Sequence, residues 1–145
     1  MESLLGLLRV RIIRGVNLAV RDTSGSDPYV VLRMGRQLIF SDFFLVLNQQ
    51  VYDKDTFSRD DKMGDAELEI TSFIDSVKMG LADLPNGTII RTVKPCRQNC
   101  LAGESPILWK DGKIIQEIVL RLRNVETGEI ELQLMWIDIP GAPVF

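Results

Sequence analysis

An all-β fold, an antiparallel sandwich or barrel carrying one short helix, is what this 145-residue sequence predicts. Three observations lead there. Several short runs alternate apolar and polar residues with period two. Gly, Asn and Asp punctuate those runs at short intervals. A single stretch carries apolar residues at helical spacing. Short strands separated by turn signals favour a sandwich or barrel over an α/β fold.

Leu8 to Ile13 places Val10 and Ile12 on one face and Arg9 and Arg11 on the other, and Gly15 and Asn17 then interrupt the run. Tyr29 to Met34 is rich in β-formers and predicts a more buried strand. Ser72 with Asp75 makes an S-x-x-D cap, and Phe73, Ile74, Val77 and Leu81 behind it predict a helix ending near Gly80. Asn86-Gly87 before Thr88-Ile89-Ile90 predicts a hairpin. Cys96 to Lys113 is mixed and loop-like. Glu117–Arg123 and Glu129–Ile137 are the clearest strands, with Thr127-Gly128 turning between them and Ile130, Leu132, Leu134 and Trp136 sharing a face.

Composition narrows the function classes. The length suits one domain spanning residues 1–145, and a net charge of −3 gives no bulk attraction to polyanions, so no nucleic-acid partner is expected. The sequence has no histidine, which removes Ser-His-Asp and Cys-His nucleophile activation. No phosphate-binding glycine loop is present, and no catalytic residue is assigned. Cys96 and Cys100 lack the further ligands of a zinc site and read as reduced thiols. No apolar run reaches the length of a membrane span, and Met1 to Leu8 lacks the basic start of a secretory leader.

Two acidic loops carry the chemistry. The first is Arg21-Asp22-Thr23-Ser24-Gly25-Ser26-Asp27-Pro28-Tyr29, and the second runs from Asp53-Lys54-Asp55 through Asp60-Asp61 to Gly64. Calcium takes six to eight oxygen ligands in flexible geometry. Asp53 and Asp55, two apart at a strand end, share a side, and Asp61 can return from the far side of the loop. Like charges this close are costly without a cation. The competing reading is a pair of solvated acidic turns. The spacing is not that of an EF-hand. Phe57, at the tip of the second loop, has two open readings: insertion into a membrane interface, or a fold back onto the sandwich.

Ser26-Asp27-Pro28-Tyr29-Val30, followed by V-Y-D-K-D and then D-K-M-G, resembles the two calcium-binding loops of a C2 domain. L-P-N-G-T-I-I at 84–90, Asn99-Cys100-Leu101 and E-I-E-L-Q-L-M-W-I-D-I-P-G at 129–141 narrow this to the plant C2-domain abscisic acid-related family, some of whose members are described as GTPase-activating. The resemblance implies a C2-type antiparallel β-sandwich. It implies calcium bound by Asp22, Asp27, Asp53, Asp55 and Asp61 with the backbone carbonyls of Arg21 and Lys54, and Asp60 beside the set. It further implies docking on anionic phospholipid membrane and recruitment of abscisic acid receptor proteins. The implied location is the plasma membrane periphery, cytoplasm and nucleus, with regulation of a GTPase or ATPase as an alternative role. A calcium-independent protein-interaction scaffold is a further alternative. Arg9, Arg11, Arg14, Arg121 and Arg123 read as solvated strand faces, and none stands out as an arginine finger.

Between Gly35 and Val51 the resemblance stops. Family members carry a longer stretch here, including a basic strand, so roughly two strands are expected to be missing from the sandwich. The divergent segment 36–50 is read either as a substitute central strand or as the product of an altered transcript. Phe43 to Leu47 is apolar enough to aggregate if its edge is exposed.

Overall fold

The computed structural model describes residues 6–19, 28–39, 42–53, 61–97 and 99–138. Their strands form two antiparallel sheets. One holds five strands in the order β1-β8-β7-β6-β5 and the other three in the order β2-β3-β4. The elements are β1 (Gly6–Val16), β2 (Pro28–Ile39), β3 (Asp42–Asp53), β4 (Asp61–Glu69), α1 (Thr71–Lys78), β5 (Thr88–Val93), β6 (Ser105–Lys110), β7 (Lys113–Arg121) and β8 (Glu129–Asp138). This is the expected C2-type β-sandwich with one short helix.

The alternation read from the sequence does the folding. Ile130, Leu132 and Leu134 of β8 are buried, as are Ile118 and Leu120 of β7 and Ile107 of β6. They share one cluster with Val51, Met63, Ala66 and Leu68 of the three-stranded sheet. Phe73 of α1 is 0% exposed and plugs the same core. Burying a side chain of that size contributes about 1.5–3 kcal/mol. Among the described residues no helix is long and apolar enough to cross a membrane.

The divergent segment takes the strand reading. β2 and β3 pair without interruption from Pro28↔Asp53 to Ile39↔Asp42, so residues 36–39 and 42–50 lengthen the two paired strands. β3 is central to its sheet from Val46 onward, where it also pairs with β4. That pairing removes the free edge feared for Val46 and Leu47.

Several elements differ from expectation. β2 is less buried than its composition predicts, with Tyr29 and Leu32 each 37% exposed, because it is an edge strand of the smaller sheet. The helix starts one residue before Ser72, and its N-cap, Ile70, supplies no side-chain hydrogen bond. Ser72 instead offers its carbonyl to the Ser76 hydroxyl at 2.9 Å. Asn86-Gly87 closes no hairpin. It follows the helix, and Asn86 accepts from the Asp111 amide at 2.9 Å. The tight hairpin lies at Asp111-Gly112, whose φ values of 50° and 76° suit a two-residue turn between β6 and β7. The stretch expected to be loop-like therefore contains β6.

Candidate metal site at the loop end of the sandwich

Three strand termini meet at one end of the smaller sheet. Pro28, the first residue of β2, is the register partner of Asp53, the last residue of β3. Asp53 is in turn the partner of Asp61, the first residue of β4. Two predicted ligand positions thus stand directly across from each other, and the residue after predicted ligand Asp27 lies on the other side of Asp53. Arg21, Asp22, Asp27, Lys54, Asp55 and Phe57 lie outside the described residues. Among the described residues no trio of acidic or sulfur side chains gathers to hold a metal.

The chain builds this end from below. Tyr29 and Tyr52 are register partners one step down, and their rings stack at 5.5 Å with planes 21° apart. The Tyr52 hydroxyl donates to Gln50 Oε1 at 2.9 Å along the same strand face. On the other flank the β3–β4 register shifts between Gln50 and Tyr52, which absorbs an extra residue in β4. Gly64, with φ 114°, supplies the backbone for that bulge. A Cβ there would lie 2.7 Å from Val125 Cγ1, so the bulge is packed against the β7–β8 connection.

Asp65, which sequence reasoning missed, fastens the two sheets beside this site. It is 6% exposed, yet it is fully partnered. Lys62 Nζ lies 2.9 Å from its carboxylate, Arg123 3.2 Å, and the Asn124 amide donates at 3.1 Å. Burial pushes its pKa up. The Lys62 and Asn124 hydrogen bonds, with the charges of Lys62 and Arg123, outweigh that and hold the carboxyl below its ordinary value. A carboxylate so neutralised is a strut of the site, not a free metal ligand. Arg123 is exposed, as expected, but it also pairs with Asp65 and Glu67. Because Arg123 bridges antiparallel to β4, β7 climbs toward the end where β4 begins. Pro28, Asp53 and Asp61, the strand ends next to the two acidic segments, and the β7–β8 connection therefore share one pole.

The C2 domain family model matches residues 6–40 and 36–84, its two segments meeting where the divergent stretch starts. C2-domain ABA-related protein 5 of Arabidopsis thaliana is 55% identical over 161 positions, covering 97% of this chain and 80% of that protein. This chain belongs to the plant C2-domain abscisic acid-related family. The ABA-related protein 4 of the same plant is 54% identical, with 98% of this chain and 92% of that one covered. A rice relative, GTPase activating protein 1 of Oryza sativa subsp. indica, is 48% identical over 96% of each chain. The aligned span of 161 positions exceeds the 145 residues of this C2-domain ABA-related chain, so its relative carries residues that it lacks. These relatives are named as C2-domain ABA-related or as activators of a GTPase, that is, as regulatory proteins.

Proposed function

We propose that this chain is a calcium-dependent phospholipid-binding adaptor that docks its acidic loops on anionic plasma membrane and recruits abscisic acid receptor proteins there. The observation that carries the reading is the register of Asp53 opposite Asp61, with Pro28 on the far side of Asp53. Like charges directly opposed across a strand pair are unfavourable. A hard divalent cation relieves them, so the residues at this pole fit calcium.

Asp22, Asp27, Asp53, Asp55 and Asp61 would hold the ion, with the carbonyls of Arg21 and Lys54. Bound calcium supplies local positive charge and open positions for lipid phosphate. The protein's own part is positional. The Tyr29–Tyr52 stack and the Gly64 bulge set the strand ends, and the Asp65 cluster keeps the neighbouring loop against them. Without the ion, the same carboxylates repel an anionic surface. Peripheral membrane, cytoplasm and nucleus are the locations that accompany this role. Family membership supports the abscisic acid link through the names of the relatives.

A second reading, regulation of a GTPase or ATPase, is favoured by the printed name of the rice relative. Nucleotide turnover by a candidate GTPase with and without this chain separates the two. The primary test is cosedimentation with phosphatidylserine vesicles in calcium and in chelator, alongside thermal unfolding in both buffers. Calcium-dependent pelleting with a raised Tm supports the adaptor. A cooperative fold that ignores calcium in both assays refutes it.

A further inference from the structure

A second polar site lies on the outer face of the five-stranded sheet, where Arg11 of β1 and the β6–β7 hairpin border a groove of about 300 Å³. Ile115, 2% exposed, and its register partner Met135 form the floor. Lys110 and Lys113 face each other directly across the hairpin, an unfavourable pairing of like charges. Arg11 stands on the opposite wall beside its partner Gln133. Arg11, Lys110 and Lys113 are all exposed, and none forms an ion pair with a described residue. The one acidic lining residue, Asp111, accepts a hydrogen bond from the Asn86 amide at 3.2 Å. Glu117, also exposed, sits across Gln133 from Arg11 in the same row, with the Ile115–Met135 row between it and the hairpin.

We propose that this groove binds a soluble small molecule bearing phosphate, held by Arg11, Lys110 and Lys113. A guanidinium fork and two ammonium groups match clustered phosphate oxygens, and such a ligand neutralises the opposed lysines. The volume suits a small ligand. Placement selects the soluble form. β7 runs from Lys113 to Arg121 toward the end where Asp53 and Asp61 lie, and eight strand steps span roughly 26 Å. A bilayer met by the loops leaves the groove out of reach, so this choice of source rests on the proposed docking pose. The phosphate chemistry itself does not.

Titration with sodium tripolyphosphate in chelator, followed by calorimetry and amide NMR of the wild-type chain, tests the site without calcium. Saturable binding with shifts centred on Arg11 and Lys110–Ile115 is expected. Affinity should fall at least tenfold in Lys110→Gln/Lys113→Gln and in Arg11→Gln, but not in Arg97→Gln/Arg121→Gln. No saturable binding, or an equal loss in the Arg97→Gln/Arg121→Gln control, overturns the proposal. Wild-type NMR shifts scattered away from the groove do the same, even if a variant fails to fold. Calcium-dependent pelleting of Lys110→Gln/Lys113→Gln with phosphatidylserine vesicles should match wild type. If vesicles containing phosphatidylinositol bisphosphate lose this variant while tripolyphosphate never binds, the soluble-ligand assignment is wrong. Loss of all calcium-dependent pelleting by the wild type, with tripolyphosphate binding intact, refutes the membrane reading and leaves the groove standing.

Discussion

Asp65 and Arg123 are joined three times over. The Asp65 amide donates to the Arg123 carbonyl at 3.1 Å, the Arg123 amide donates back at 2.6 Å, and their side chains pair at 3.2 Å. The two residues belong to different sheets' strand systems, 58 positions apart in sequence. The contact therefore ties the two layers together near the Asp53–Asp61 strand ends.

Replacing Asp65 with Ala should cost about 1–3 kcal/mol, because it leaves a buried polar junction without its acceptor. Arg123 keeps Glu67 at 3.5 Å, which limits the loss. Urea denaturation of wild type and variant measures it. An unchanged midpoint would show that the backbone bridge alone holds the sheets.

The same residue sets an acid-sensitive term. Its folded pKa lies below the ordinary value despite burial, so its contribution is present above the unfolded pKa and fades as pH falls through the folded one. Glu69 behaves oppositely. Burial, then the nearby Asp75 charge, raises its pKa, so its contribution is present at low pH and fades as pH rises through the folded value. Stability measured against pH should therefore show a steeper acid limb in wild type than in Asp65→Asn. Glu69→Gln should remove a falling component at higher pH.

Gly64→Ala should destabilise by about 1–3 kcal/mol, since it combines a left-handed φ of 114° with overpacking. The added carbon would meet Val125 Cγ1 at 2.7 Å, Leu122 Cβ at 3.0 Å and the Arg123 carbonyl at 3.1 Å. Thermal unfolding reads the effect, and a Tm at or above wild type would contradict it.

Asp53→Asn combined with Asp61→Asn should abolish any calcium-induced rise in Tm while leaving the chelator Tm equal or higher, because an opposed pair of acidic positions is removed. A calcium response of wild-type size in this variant places the ion elsewhere.

Phe57→Ala should weaken vesicle binding and leave calcium affinity in solution nearly unchanged. Calcium titration beside vesicle cosedimentation decides it, and equal losses in both argue against insertion.

The parts of the fold legible in the sequence are those whose signal is local. β8 announces itself through strict alternation, and every second residue from Ile130 to Leu134 is buried. β6 escaped because Pro106 and the cysteine loop before it mask an equally regular pattern, Ser105, Ile107 and Trp109 inward. Asp111-Gly112 was the turn signal that marks it. Asn86-Gly87 misled because its turn chemistry serves a side-chain clasp to Asp111 and not a strand reversal. At the candidate site, D-x-D spacing located Asp53, but only the register reveals that Asp61 is its direct partner. Asp65 was invisible because two of its partners, Arg123 and Asn124, lie 58 and 59 positions away and only folding unites them.

The bulge at Gly64 has a consequence for how this sequence tolerates changes in length. It adds one residue to β4 between the Gln50↔Asp65 and Tyr52↔Lys62 pairs, and so sets the phase of everything before it on that strand. Residues inserted between Lys54 and Asp60 would lengthen the loop and leave both strand ends in place. A single deletion between Lys62 and Gly64 would leave one residue opposite Val51, so the ladder would close without its bulge and Asp61 would stay in the row of Asp53. A one-residue deletion at 63–64 is thus expected to cost the packing of Gly64 against Val125 and not the Asp53–Asp61 row, while a second deletion would shift that row by one residue.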